Sequence, residues 1–514
     1  MPSPTPGAGG TPTGTAASTR TAASTGASSS VYAAIDFGAS SGRVLAGRFD
    51  GERVTLTEAA RFPNRPVDLP DGRHWDLLGL YAQALDGLRT IAGGDNGLAG
   101  VGVDTWAVDY GLLDRDGRLL GLPYHYRDHR TDGIVDRSFA RVSREGQYAV
   151  AGIQTMPINT VFQLEAERGS AAIEAADRIA LIPDLLAHWL GGDLVNEATN
   201  ASSTGLLDAR TGTWSRDLIG RLGLPVDLFG PTVEAGTTIG RLRPALGLGD
   251  AAVHAVGSHD TASAFAAAPV TGPDAAILSS GTWSLLGLEL DAPVLTDAAR
   301  DANLTNERGV DGTIRLLKNV MGLWLEQELS RAWGIHAAEL QRLAGEADPD
   351  VAVLDIDDPA FLAPDDLPAL IAEHCRRTGQ TPPASKGETV RTILVSLACR
   401  YRWVLEQLEA VSGRTIRTIH VVGGGVRNEL LCRLTADVTG RTVLAGPIEG
   451  TGMGNVLVQL RAAGEVGSLA ELRAVAAASA QPRAYEPAGD RAAAEDLYRR
   501  FRTVAALSAP TTTA

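Results

Sequence analysis

Apolar positions along this chain recur with two spacings, and the switches between them lay out its elements. Residues 34–49 read as an apolar strand, a turn of Gly, Ala and Ser, and a second apolar strand. Residues 275–288 repeat that plan. Between them, Leu77, Leu80, Tyr81, Ala84, Leu85 and Leu88 fall at the 3.6-residue period of an amphipathic helix, which Gly93, Gly94 and Gly97 bring to an end. Strands are expected at residues 98–103, 110–113, 253–256 and 418–422, with Asp114-Arg115-Asp116-Gly117 reading as a hairpin turn after the second of them. Helices are expected at 262–268 and 428–439, and residues 316–333 read as one amphipathic helix. Residues 62–76, rich in Pro and Asp, read as a link.

Strands alternating with helices imply an α/β architecture. Two halves that each open on a hairpin imply an internal duplication. The expected organisation is a disordered Ser/Thr/Ala/Gly/Pro tail at 1–30, a first domain at 31–268, a second at 269–488, and a C-terminal helix with a flexible end at 489–514.

The hairpin turns are the first place where the pattern suggests chemistry. Ala39, Ser40, Ser41, Gly42 and Arg43 follow the first strand, and Ser279-Ser280-Gly281-Thr282 follows its counterpart. Two such turns facing each other offer backbone N–H groups and hydroxyls to a phosphate chain from both sides. Gly38 and Gly42 tolerate positive φ, and Ser40 and Ser41 present hydroxyls. Asp36, at the strand end, would bring a carboxylate to a Mg2+ accompanying the phosphates. The composition sharpens this reading. Of 46 basic residues only Lys318 and Lys386 are lysines, and neither stands in a Gly-Lys-Ser/Thr sequence. A P-loop needs that lysine, and the strand lysine and H-R-D loop of protein kinases are also missing. ATP, if bound, is bound by turns and metal.

Three further segments could carry chemistry. Gly423-Gly424-Gly425 follows a strand and precedes a helix, so a ligand could lie against the backbone; adenosine fits better than a dinucleotide, because the G-x-G-x-x-G register is missing. In Ser258-His259-Asp260-Thr261, Asp260 is either a helix N-cap or a base that takes a proton from a sugar hydroxyl, and the local signal leaves both open. Asp104-Thr105-Trp106-Ala107-Val108-Asp109 fits either a sugar site of two carboxylates and a ring, or a buried Trp with turn-capping aspartates.

The net charge of −15 argues against nucleic-acid and acidic-membrane partners. Cys375, Cys399 and Cys432 have no metal-ligand spacing and read as buried small apolar residues of a reducing, cytoplasmic protein. No signal-peptide core and no unbroken apolar run of spanning length is present.

Taken together, Asp36–Arg43, Gly102–Gly111, Ser258–Ser263, Ser279–Ser284, Lys318-Asn319-Val320-Met321-Gly322 with the residues to Gln327, and the glycines at 423–425 resemble the rhamnulokinases. These are FGGY carbohydrate kinases, a branch of the actin-like ATPase superfamily, and the resemblance spans residues 31–485. It implies two actin-like (ribonuclease H-like) ATPase domains with a cleft between them. It also implies transfer of the ATP γ-phosphoryl group to the C1 hydroxyl of L-rhamnulose, in L-rhamnose breakdown. By resemblance Asp260 is the proton acceptor, His259, Thr261 and Asn319 touch the sugar, and Ala39 to Arg43, Thr282, Gln327 and Gly424 touch ATP. Ala107 stands where relatives commonly have glycine against the sugar, so substrate identity is open there. The other readings are a kinase for fuculose or xylulose, an actin-like ATPase that phosphorylates nothing, and a nicotinamide oxidoreductase using Gly423–Gly425. Oligomeric state is not readable.

Overall fold

The computed structural model describes residues 30–508 except 95, 96 and 363; the tail expected at 1–30 lies, but for residue 30, outside the described residues, as does the end after 508. Two mixed sheets organise the chain. The first contains β1 (Val31–Phe37), β2 (Ser41–Phe49), β3 (Val54–Pro63), β4 (Leu98–Thr105), β5 (Thr237–Arg241) and β6 (Ala252–Ala255), in the order β5-β6-β4-β1-β2-β3. Helix α1 (Leu77–Ala92) covers it, capped by Asp76, whose carboxylate accepts from the Gly79 N–H. Helix α2 (Asp260–Ala266) follows β6. The second sheet contains β7 (Ala275–Ser280), β8 (Trp283–Leu290), β9 (Thr305–Arg308), β10 (Ile314–Met321), β11 (Thr418–Val422), β12 (Thr442–Ala445) and β13 (Arg483–Tyr485), in the order β9-β10-β8-β7-β11-β12-β13. Its principal helices are α3 (Trp324–Trp333), α4 (Lys386–Ser412), α5 (Glu429–Thr439) and α6 (Gly450–Ala462).

The duplication is visible in the pairing. β1 pairs antiparallel with β2 and parallel with β4, as β7 pairs antiparallel with β8 and parallel with β11. Each opening strand is therefore central and buried on both faces, which explains its continuous apolar reading. The two lobes share more than a linker. α6 crosses from the second lobe onto the first sheet, where Val456, Leu457 and Leu460 join Tyr32, Ala34, Leu45 and Val256 in one apolar cluster. Gly454 is required there, because a Cβ would overlap the Ser263 carbonyl oxygen. Asn455 Nδ2 donates to Asp104 Oδ2 at 2.5 Å, and Gln459 Nε2 donates to the Ala33 carbonyl at 2.9 Å.

Three expectations need correction. Residues 316–333 are not one helix: β10 runs to Met321, and α3 begins at Trp324. Apolar residues at 316, 317, 320 and 321 fit a helix period, but they fit a strand buried on both faces equally well, and pairing along β8 decides it. Residues 62–76 contain a hairpin, Pro66–Leu69 with Gly72–Trp75, rather than a plain link. Finally, Asp114–Gly117 forms a turn with Gly117 N–H donating to Asp114 O at 2.9 Å, yet Tyr110–Leu113 takes Arg178–Leu181 as its antiparallel partner. The returning chain does pair back, but briefly: the bridge Leu113–Leu119 is flanked by Asp114 N–H donating to Arg118 O at 2.9 Å and Leu120 N–H donating to Leu112 O at 2.8 Å. The three cysteines are free and buried, as expected.

Candidate active site

The turns after β1 and β7 and the glycines after β11 meet in one interlobe cavity of about 330 Å3. Each is braced by residues remote in sequence. In the first turn, Gly38 N–H donates to Ser41 O at 2.9 Å, and Asn64 clamps the loop, its Nδ2 on Gly38 O at 2.9 Å and its N–H on Ser40 O at 3.1 Å. Neither Gly38 nor Gly42 uses its freedom to adopt positive φ. Gly42 is demanded by packing instead: a Cβ would overlap the Phe62 ring. In the second turn, Leu323 and Trp324 N–H groups donate to Gly281 O and Thr282 O, fastening the start of α3 to the loop. Thr282 Oγ1 then reaches Gln327 Oε1 at 3.4 Å. The three glycines have separate reasons. Gly423 has φ +90°, Gly425 has no room beside Ser280 Oγ, and Gly424 faces open space in the cavity wall.

Acidic groups converge behind the first turn. Asp36 is buried, and Arg43 contacts its Oδ2 through Nε at 2.8 Å and an η-nitrogen at 2.7 Å. The same guanidinium pairs with Glu449 across the lobes. Burial would lower the Arg43 pKa, but Asp36 and Glu449 outweigh it and hold the guanidinium charged. Burial raises Asp36, with Arg43 opposing and the charge of Asp260 adding to the rise. Asp104, beside Asp36 in the β1–β4 register, is raised well above the carboxylate range by burial and by Asp36.

Asp260 is the first residue of α2, and His259 is the N-cap, with no side-chain cap bond. The N-cap reading of Asp260 is thereby corrected: its carboxylate lines the cavity, accepting from Thr261 Oγ1 at 3.0 Å. Across the cleft, Asn319 lies on the face of β10 that meets the first lobe. Its N–H and Nδ2 donate to Gln154 Oε1 at 2.8 and 3.1 Å, and Gln154 Nε2 donates back to Asn319 O at 3.2 Å. Lys318, its neighbour, points the other way, donating to Ala302 O at 2.6 Å.

The 104–109 segment divides. Trp106, Ala107 and Val108 line the cavity. The two carboxylates do not. Asp109 is a buried anchor, accepting from Trp75 Nε1 at 2.6 Å, Trp106 Nε1 at 2.9 Å and Gln163 Nε2 at 2.7 Å, and burial raises its pKa to about 6. Val108 has φ 68°, a conformation costly for a β-branched residue. It is held by Thr160 Oγ1 donating to its carbonyl at 2.6 Å. Strain of this kind concentrates at ligand sites. Every other expected site residue — Asp36, Ala39, Ser40, Ser41, Arg43, Ala107, His259, Asp260, Thr261, Thr282, Asn319, Gln327 and Gly424 — lines the same cavity; Gly42 alone does not. Sequence reasoning missed Gln154 and Glu307, which line the cavity, Glu449, which touches it through Arg43 across the lobes, and the aliphatic wall of Ile153, Met156 and Ile158.

Comparison with known proteins agrees across the chain. Residues 31–266 match the N-terminal domain, and residues 276–463 the C-terminal domain, of the FGGY family of carbohydrate kinases. A rhamnulokinase from Bacteroides thetaiotaomicron is 43% identical over 478 residues, covering 92% of this chain and 98% of the relative. One from Pectobacterium carotovorum is 40% identical, covering 93% and 97%, and one from Bacillus subtilis is 39% identical, covering 87% and 93%. Among solved structures, the xylulose kinase of Lactobacillus acidophilus superposes with a TM-score of 0.78 at 16% identity, covering 94% of this chain and 99% of that one. Plasmodium falciparum glycerol kinase with ADP superposes with 0.76 at 15% identity, covering 94% and 98%. These structures share the two-lobed fold.

Proposed function

Because the chain belongs to the FGGY family of carbohydrate kinases, we propose that it phosphorylates L-rhamnulose at the C1 hydroxyl, using ATP, to give L-rhamnulose 1-phosphate and ADP. The observation that carries the reading is the single cavity lined at once by both small-residue turns, by Gly424 and by Asp260.

The sugar end suits a deoxyketose. Asn319, Thr261 and His259 offer polar partners, while Ile153, Met156 and Ile158 form an aliphatic wall that can take a methyl but leaves a hydroxyl unpaired. Asp260 accepts the proton as the C1 oxygen bonds to the γ-phosphorus and the bond from phosphorus to the ADP oxygen breaks. Such a reaction depends on positioning and charge more than on covalent chemistry. Ala39, Ser40, Ser41, Arg43, Thr282, Gln327 and Gly424 hold the nucleotide. Closure of the cleft keeps water from taking the sugar's place.

The donor set fits a Mg2+ ion at Asp36. Both Arg43 contacts fall on Oδ2, so Oδ1 carries neither, and the repulsion from Asp260 that raises Asp36 is what a cation would relieve. Among the described residues no group of three His, Cys, Asp or Glu side chains forms a metal cage. That suits Mg2+, which keeps its waters and takes one or two carboxylates beside substrate phosphates. When bound, the ion neutralises charge on the phosphates.

The test is a steady-state panel of ketoses with ATP: L-rhamnulose, L-fuculose and both xyluloses. The expected result is the highest kcat/KM on L-rhamnulose. Equal or better turnover of another ketose overturns the substrate, with Ala107 the first suspect, and ATP hydrolysis indifferent to any sugar overturns the kinase.

A further inference from the structure

Opposite Asp260, on the second lobe, stands a charged pair that the reaction above does not use. Arg315 on β10 is fully buried, and Glu307 on β9 is 5% exposed. They meet at 3.1 Å, between an Arg315 η-nitrogen and Glu307 Oε2, while Arg315 Nε donates to Arg308 O at 2.9 Å. The same η-nitrogen lies 3.2 Å from Nδ1 of His259 on the first lobe, and His259 Nε2 lies 3.5 Å from Asp260 Oδ1. Burial alone would raise Glu307, and Arg315 is the largest influence that opposes it, so that the carboxyl lies below its usual range. Stability does not explain such a pair, since burying two charges costs as much as their attraction returns.

The imidazole faces a choice that the geometry resolves. Nδ1 is 3.2 Å from both the Arg315 donor and the Glu307 acceptor, so either proton placement there leaves one clash. The other nitrogen decides: beside the Asp260 carboxylate, Nε2 gains by carrying the proton. Nδ1 then accepts from Arg315, and Glu307 Oε2 meets the same guanidinium by charge alone, without a hydrogen bond. The backbone is fixed independently, with Ser258 N–H and Oγ donating to Glu197 Oε2 at 3.1 and 2.7 Å and His259 N–H meeting Thr199 Oγ1 at 3.3 Å.

We propose that Arg315, held by Glu307, is a positioning residue for phosphoryl transfer: it occupies His259 Nδ1 from the opposite lobe and so turns the Nε2–H toward Asp260. This rests on Asp260 being the proton acceptor. Its consequence is that the orientation of the base is completed only where the two lobes meet.

The test is a double-mutant cycle with Arg315→Lys and Asp260→Asn, with Glu307→Gln alongside as the isosteric change least disruptive to folding. Arg315→Lys and Glu307→Gln should each lower kcat about 10- to 100-fold, the usual effect of a misplaced catalytic group. ATP affinity should stay within about two-fold. In the Asp260→Asn background Arg315→Lys should add no further loss. An additive loss there overturns the positioning role even though Asp260 remains the base, whereas near-normal turnover of Asp260→Asn alone defeats the underlying reading. Nitrogen-15 NMR of His259 in the unaltered enzyme supplies a check that needs no variant. A proton on Nε2 is expected, and a proton on Nδ1 overturns the proposal.

Discussion

Replacing Asp260 with Asn separates its two possible roles by size. Asp260 opens α2, and a carboxylate in a first helical turn gains about 0.3–1 kcal/mol from the helix dipole. It caps no backbone N–H, and its side chain is 30% exposed, toward the cavity. The stability cost of Asn is therefore below about 1 kcal/mol. Loss of a general base costs on the order of 10²–10⁴-fold in rate, which is about 2.7–5.4 kcal/mol at 1.36 kcal/mol per decade. The barrier should thus rise several times more than the stability falls. A coupled assay for ADP release in the presence of L-rhamnulose measures the first quantity, thermal melting the second, and calorimetric titration with a non-hydrolysable ATP analogue checks that nucleotide binding is retained. Turnover within a few-fold of the parent, with or without a change in melting, would refute the assignment of Asp260 as the base.

The glycines after β11 give a contrasting pair. Gly424→Ala should fold normally and raise the KM for ATP, whereas Gly425→Ala should lose about 1–3 kcal/mol of stability through its overlap with Ser280, and equal melting temperatures would contradict this. Gln154→Ala removes the three hydrogen bonds to Asn319, each worth about 0.5–1.5 kcal/mol net. It should raise the KM for the sugar about ten-fold or more while leaving that for ATP nearly unchanged; a loss confined to ATP would speak against it. Burial lowers Lys318 to about 8 from 10.5. A depressed lysine favours the neutral form in the fold, so its contribution to stability rises as pH climbs from about 8 toward the unfolded value near 10.4. With only two lysines in the chain, NMR of the reductively methylated protein should show one side chain titrating near pH 8, and two signals that move only near pH 10 would refute the burial argument.

What could be read in the sequence was local. The hairpins at β1–β2 and β7–β8 are contiguous stretches in which turn chemistry and apolar runs agree, so the strands, the turns and the facing arrangement were legible. Helix α1 was legible because one face is buried and the other exposed. β10 was not. A strand covered on both faces loses its alternation, and only its partner β8 shows that it is extended. The site followed the same rule. Asp260 and Gly424 sit in motifs, but Asn64 grips the first turn from 26 positions away, and Asn455 reaches Asp104 across 351. No window of sequence contains both partners of either contact. The need for glycine at position 42 was hidden for a related reason: it comes from the Phe62 side chain on a neighbouring strand.

The two hairpins are copies in backbone and unlike in charge, and that difference bears on how the lobes divide the work. The first turn ends in Arg43, whose guanidinium bridges Asp36 on its own sheet and Glu449 at the foot of α6. A planar fork can hold two carboxylates at once, which a lysine ammonium does poorly, so the scarcity of lysine is no handicap here. The second turn, Ser279 to Thr282, carries no charge and offers only N–H groups and hydroxyls. A triphosphate held between them, as proposed, would meet a charged lobe on one side and a neutral one on the other. The carboxylates of Asp36 and Asp260, both on the cavity wall, would repel that ligand unless a cation accompanied it. Nucleotide and metal should therefore bind as one unit: titrating ATP without a divalent ion should give far weaker binding than titrating the complex, and equal affinities would mean that the carboxylates face away from the phosphates.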